Sequence, residues 1–304
     1  MADSPPVGGD KFRPALHGIE MPTLLDIRRR IRSVKNTQQI TRAMKMVAAA
    51  RLRRAQERVF NARPYANQML TLLSSLAART EQRAHPLLAE RPVEKVLLVL
   101  VTGDKGLCGA FNTNLIRAAQ SYLEEHRDKK VSMIAVGRKG RDFFRRRPVE
   151  MISESVNIFT RLEFSHAQGI AQQIIDLYTR EEVDAVDFIY NESKTVLTQR
   201  LTRERYLPIK PMKPTAGEAL IDYIYEEPAS EIFGVLLPRY VEVEVYRAML
   251  ESAAAEFAAR MTAMDAASNN AAEMIDSLTL HMNRVRQAAI TREIIEVVSG
   301  AAAL

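Results

Sequence analysis

Leu250 to Ala289 reads LESAAAEFAARMTAMDAASNNAAEMIDSLTLHMNRVRQAA, forty positions without glycine or proline. Along it Leu250, Ala254, Phe257, Met261, Met264, Ala267, Ala271, Met274, Leu278, Met282, Val285 and Ala289 follow at steps of 4, 3, 4, 3, 3, 4, 3, 4, 4, 3 and 4. That rhythm is close to the 3.5-residue period of a left-handed coiled coil, in which one apolar seam must face a partner helix. The helical pattern extends from about Glu231, past Gly234 and Pro238 near its start, to Ser299, and Gly300 stands where a C-terminal cap belongs.

The partner helix is found at the other end of the chain. Pro22 suits a first helical turn, Thr23 to Arg63 contains no Gly or Pro, and Leu24, Ile27, Ile31 and Val34 recur at steps of 3, 4 and 3. The seam turns polar at Gln38 and Thr41 and resumes through Met44, Ala48, Leu52, Ala55 and Val59. Pro64 is expected to kink or briefly break this helix, because it lacks an N–H and crowds the preceding turn, with the pattern resuming from Tyr65 to Arg79. Roughly 55 residues rising ~1.5 Å each would make a rod of about 80 Å, too long for an ordinary core to surround. Two such helices at opposite ends of the sequence predict an antiparallel hairpin closed by whatever folds between them. Ala and Met along the seam allow close approach and some sliding.

The middle third has a different pattern. Val93 to Val101 is a buried-strand run, followed by a Gly-rich turn and an amphipathic stretch from Thr113 to His126. Val131 to Gly137 reads as a second strand leading into a basic helical segment to about Arg146. Val149 to Ile158 reads as a third, followed by a helix from about Glu163 to Arg180, and Ala185 to Tyr190 with Thr195 to Tyr206 as a final strand pair. Strands alternating with helices predict a Rossmann-like α/β domain. Pro208, Pro211 and Pro214 mark a linker. The fold class is thus α/β, a central domain at 92–207 carried by a long two-helix coiled coil. Its helices occupy 21–80 and 230–304, with a linker at 208–229 and an extension at 1–20 whose Pro5, Pro6, Gly8 and Gly9 read as disorder or as a misassigned start.

Composition removes several function classes. The 304 residues are 47% hydrophobic and 26% charged. The longest apolar run, Val96 to Val101, is far short of the ~18–20 residues a membrane span needs, and residues 1–20 have no apolar core of a signal peptide. The single cysteine, Cys108, excludes an internal disulfide and predicts a reducing compartment, and the five scattered histidines show no ligand spacing. The net charge of +6 is unevenly placed: Met21 to Arg63 holds twelve Lys or Arg against Asp26 and Glu57, a net of +10, and everything after Arg63 sums to −3. This basic face fits a nucleic acid, plain solvent or an acidic protein partner, and composition alone leaves the three open.

The turn Thr102-Gly103-Asp104-Lys105-Gly106-Leu107-Cys108-Gly109-Ala110 occupies the place of a phosphate loop but fits neither fingerprint. It lacks Gly-Lys-Ser/Thr, and its glycines at 103, 106 and 109 do not follow Gly-x-Gly-x-x-Gly. A structural turn or subunit contact is the preferred reading. Cys108 has no nearby His to activate it and reads as a small buried residue. The pairs Glu226-Glu227 and Glu242-Glu244 read as solvated surface.

Several longer strings carry more. Met21 to Ile31 (MPTLLDIRRRI), Asn36 to Ala48 (NTQQITRAMKMVA), Thr102 to Gly109 (TGDKGLCG), Met264 to Ala271 (MDAASNNA) and Arg286 to Leu304 (RQAAITREIIEVVSGAAAL) resemble the gamma subunit of the F-type ATP synthase, in the same order along the chain. The resemblance implies a shaft turning in a ring of three alpha and three beta subunits, with the central domain as a foot beside epsilon on a membrane ring of c subunits. It implies proton flow coupled to ATP synthesis or hydrolysis on beta, regulation of ATPase activity, no catalytic site and no bound cofactor on this chain, with ATP, ADP and magnesium on partner subunits. By the same resemblance Met44 and Lys45 meet an acidic lever of beta, and Arg42, Arg53 and Arg54 ride on acidic loops. Arg286, Gln287, Thr291 and Glu293 form a polar catch, while Ile294, Val297 and Val298 turn in an apolar bearing. It implies no nucleic acid partner, indirect membrane contact, and a bacterial chain peripheral on the cytoplasmic side of the plasma membrane. The family's redox-switched plastid form carries an added cysteine pair, which this chain lacks. A coiled-coil nucleic-acid binder and a nucleotide-dependent α/β enzyme are the competing readings.

Overall fold

The computed structural model describes residues 23–77, 85–193, 198–209 and 229–302. The expected extension at 1–20, the carboxylates Glu226-Glu227 and most of the expected linker lie outside the described residues. The chain divides into a larger unit, Gln39–Asn269, and a smaller one holding the residues up to Gln38 and those from Asn270 onward.

In the larger unit five strands form one sheet. They are β1 (Lys95–Val101), β2 (Lys130–Val136), β3 (Glu150–Ser155), β4 (Ala185–Ser193) and β5 (Gln199–Leu207), in the spatial order β3-β2-β1-β4-β5. Neighbours run parallel except β4 and β5, and Val99 lies opposite Ile134 on one side and Phe188 on the other. Side chains on β1 alternate between two cores, which is why its sequence is apolar without interruption. Val96, Leu98 and Leu100 join a core with Phe111, Leu115 and Ala119 of α2 (Phe111–Glu125) and Phe144 of α3 (Arg138–Phe144). Leu97, Val99 and Val101 join the other, with Ile170 and Ile174 of α4 (Phe164–Thr179). Ile158, expected to end the third strand, instead opens a single 3-10 turn, Ile158–Thr160.

The terminal helices are α1 (Leu24–Ala77) and α5 (Ala229–Ala302). In the larger unit Leu52, Ala55 and Val59 of α1 share a core with Leu250, Ala254 and Ala258 of α5. The polar break in the seam at Thr41 is filled by a buried hydrogen bond, Thr41 Oγ1 to Ser268 Oγ at 2.7 Å.

Three further expectations change. Pro64 does not break α1, which is continuous across it. The proline costs ~3 kcal/mol, but Val59 before it and Met69 and Leu73 after it are buried, and each such side chain contributes about 1.5–3 kcal/mol. Second, the α5 seam runs through Ser268 and Ile275 rather than Ala267 and Met274: Ser268 is buried, Ile275 half-buried and Met274 exposed. With those two replacements the steps alternate 4 and 3 throughout, so the heptad is stricter than hydrophobicity indicated. Third, Glu242 and Glu244 are not solvated. Both side chains are mostly buried, paired with Arg239 at 2.7 Å and Arg247 at 2.6 Å, each three residues away on the same helix.

The corrected seam is testable in the smaller unit. Ile275→Lys should weaken that helix pairing by about 1–2 kcal/mol, seen as faster amide exchange across residues 270–289. Met274→Lys should change exchange by no more than about 0.5 kcal/mol.

Candidate functional site

In an open sheet of this topology ligands bind beyond the carboxyl ends of the strands where the strand order reverses, here between β1 and β4. That crevice is filled from within. The loop after β1 is held by its own neighbours: Gly103 N–H donates to Asn112 Oδ1 at 2.9 Å, and Asp104 Oδ1 accepts from the N–H groups of Arg138 at 3.0 Å and Asn157 at 2.8 Å. From α5, the Glu256 carboxylate lies so close that a Cβ on Gly103 would come within 2.8 Å of its Oε1. Arg260 donates to Glu256 Oε1 at 2.5 Å and to the Gly106 carbonyl at 3.3 Å. A phosphate would need free backbone donors and a free cation at this point; the Gly103 N–H is instead taken by Asn112, and Arg260, the cation that reaches the loop, is paired with Glu256. Burial raises the Glu256 carboxyl above its usual range, against the pull of Arg260.

Cys108 is buried in the same loop, and burial, followed by the Glu256 charge, pushes its thiol up, away from the reactive thiolate. Among the described residues no group of three or more His, Cys, Asp or Glu is placed to hold a metal ion, and no helix is long and apolar enough to cross a membrane.

The basic face of α1 is where the sequence placed it. Arg42, Arg53 and Arg54 are exposed, as are Arg28, Arg29, Arg30 and Arg32 in the smaller unit. Lys45 behaves differently: its Nζ sits 2.6 Å from Asp265 Oδ1, so part of its charge is neutralised within the chain. Arg53 carries an exposed pair with Glu57 at 3.3 Å, which in water contributes little. Met44 and Lys45 thus diverge, and Met44 lines a cavity of about 490 Å³ with Ile40, Val47, Leu107, Phe257 and Arg51. Arg54 lines a second, of about 220 Å³, with Arg51, Arg58 and Phe159. Sequence reasoning missed the exposed apolar members of the first cavity, Ile40 at 60% and Val47 at 53%. Their signal was present, since 40, 44 and 47 repeat a helical stripe one residue off the seam at 41 and 48.

In the smaller unit Arg286, Gln287, Thr291 and Glu293 are all exposed along α5. So are Ile294 at 57%, Val297 at 71% and Val298 at 62%, joined by Ile290 and Ile295, which the sequence reading did not single out. Five large apolar side chains within nine residues face outward here. Such a patch marks a contact surface in a soluble chain.

Residues 23–304 match the family model described as ATP synthase. The chain is 55% identical over 287 residues to the ATP synthase gamma chain of Solibacter usitatus, covering 93% of this chain and 99% of that one. It is 51% identical to the gamma chain of Desulfitobacterium hafniense, covering 93% and 100%. Among solved structures, it is similar to a chain from the central stalk and c-ring of the Tetrahymena thermophila mitochondrial ATP synthase, with 28% identity, a TM-score of 0.58, and 75% and 99% coverage. A chain of the Euglena gracilis mitochondrial ATP synthase, at 21% identity, shares the fold with a TM-score of 0.64 over 92% and 94% of the two chains.

Because Ile294, Val297 and Val298 bury little within the chain, changing all three to Ser should alter the thermal stability of the isolated protein by no more than about 0.5 kcal/mol per site. Leu52→Ala in the larger unit should instead cost about 2–5 kcal/mol in the same melting experiment.

Proposed function

Since the chain belongs to the ATP synthase gamma chain family, we propose that it is the central-stalk rotor of a proton-translocating F-type ATP synthase, coupling proton flow to ATP synthesis or hydrolysis. The observation that carries the reading is the extent of the match, about half of all residues identical across nearly the full length of curated gamma chains. The closed crevice beside Gly103 supports a mechanical role, in which this chain is not itself a catalyst, binds no cofactor, and leaves ATP, ADP and magnesium to partner subunits.

Its partners would be three alpha and three beta subunits around the coiled coil, with epsilon and the c ring at the foot. The exposed Ile294, Val297 and Val298 would turn against an apolar sleeve, where contact without directional bonds permits rotation. Arg286, Gln287, Thr291 and Glu293 would make the polar catch. Arg42, Arg53 and Arg54 would meet acidic loops through exposed ion pairs that salt screens and that therefore break and re-form as the shaft turns. Met44 would meet the beta lever through the apolar cavity, with Lys45 contributing less because Asp265 already faces it. The location would be peripheral, on the cytoplasmic side of the plasma membrane.

Co-expression with the alpha, beta and epsilon subunits tests this. The chain should copurify in a 3:3:1 alpha:beta:gamma complex, and removing roughly the last dozen residues should weaken assembly or torque. A free, stable monomer with turnover of its own would overturn the reading. Within the complex, the Ile294, Val297 and Val298 triple Ser variant should lower ATP-driven rotation although the isolated chain melts normally.

A further inference from the structure

Resting on the rotor reading above, we propose that Glu251, Glu256 and Arg260 of α5 form a clamp through which torque passes between the α/β body and the helix. The apolar contact at this point is poorly suited to that task. Met249, Leu250 and Phe257 are buried here and hold one side of the helix, but the stretch between them that meets the strand ends, Ala253 to Ala255 with Ala258, is methyl-sized and forms a shallow surface with little to resist slip. The directional contacts come from the three charged side chains, each buried. Ser193 N–H, at the end of β4, donates to Glu251 Oε2 at 3.1 Å. Arg260 ties Glu256 to the Gly106 carbonyl in the loop after β1, and Glu256 rests against Gly103.

The geometry of a helix makes this a grip from two sides. Positions 251 and 256 are five residues apart, which at 3.6 residues per turn separates them by about 140° around the axis. Turning α5 within the body therefore pulls at least one of the two contacts apart, and a buried charge separated from its partner is strongly penalised. The alanine surface lets the helix lie close to the strand ends, and the charges fix its angle there.

The test uses the complete complex in sealed membrane vesicles. Glu256→Gln and Arg260→Met are introduced together, so that no lone charge is left buried. ATP hydrolysis should remain near wild type while proton pumping per ATP falls by about fivefold. A redox-reversible tether then separates a mechanical role from a merely structural one. A Cβ on Gly109 would stand 3.9 Å from the Ala263 Cβ, within disulfide range, but φ is +57° there and a side chain is strained, so the reduced cysteine pair with Glu256 and Arg260 intact is the control and must pump as wild type. In a Cys108→Ala background, Gly109→Cys with Ala263→Cys should restore pumping in the double variant when oxidised and lose it again when reduced. Wild-type pumping per ATP in the double variant, or no recovery on forming the cross-link, overturns the clamp. Failure of the unaltered chain to join the complex would instead count against the rotor reading.

Discussion

One helix has to serve two cores at once. Between Leu250 and Ala258, α5 crosses the carboxyl-terminal edge of the sheet. Leu250, Ala254 and Ala258 complete the core that holds Val99 and Leu52, while Ala255 enters the core of Leu98 and Leu115 on the other face. Larger side chains would hold the helix away from the strand ends, and the buried run of alanines follows from that requirement. Close approach in turn brings the Glu256 carboxylate against Gly103, where a side chain on the loop would collide with it.

The same packing decides where function can reside. In a sheet of this order the reversal between β1 and β4 is the natural ligand site, and here the protein's own helix fills it. Among the described residues the two long helices offer three other surfaces: an arginine-rich face on α1, an apolar cavity beside Met44, and the outward-facing apolar residues from Ile290 to Val298. Leaving an Ile or Val fully exposed forgoes about 1.5–3 kcal/mol of burial, and five close together forgo an amount comparable with a typical margin of stability. A rotor in a ring of partners, as proposed above, would account for that arrangement, because the partners would supply the missing burial.

Much of this was readable from the sequence, for identifiable reasons. Strands buried on both faces declare themselves as unbroken apolar runs, so β1 and β2 were plain. Long helices without glycine or proline show their period over many turns, and the terminal motifs made the family recognisable. The losses came where hydrophobicity is a poor proxy for direction. Ala267 is more apolar than Ser268, yet the small Ser268 hydroxyl finds Thr41 in the seam, and one heptad further on Ile275 turns inward while Met274 faces out. Glu242 and Glu244 looked like surface because a carboxylate is judged alone, whereas Arg239 and Arg247 one helical turn away make their burial tolerable. Lys45 read as an outward charge because its partner, Asp265, lies 220 positions along the chain. The filled crevice was beyond sequence for the same reason, since Gly103 and Glu256 meet only through the fold.

On the proposed reading the chain turns as a shaft while partners hydrolyse ATP around it. The direct measurement anchors the alpha and beta ring to a surface, attaches a visible probe to the α/β domain and follows it by single-molecule microscopy after ATP is added. Sustained rotation in one direction, pausing at three positions per turn, is the predicted result. Hydrolysis at full rate with the probe stationary would contradict it.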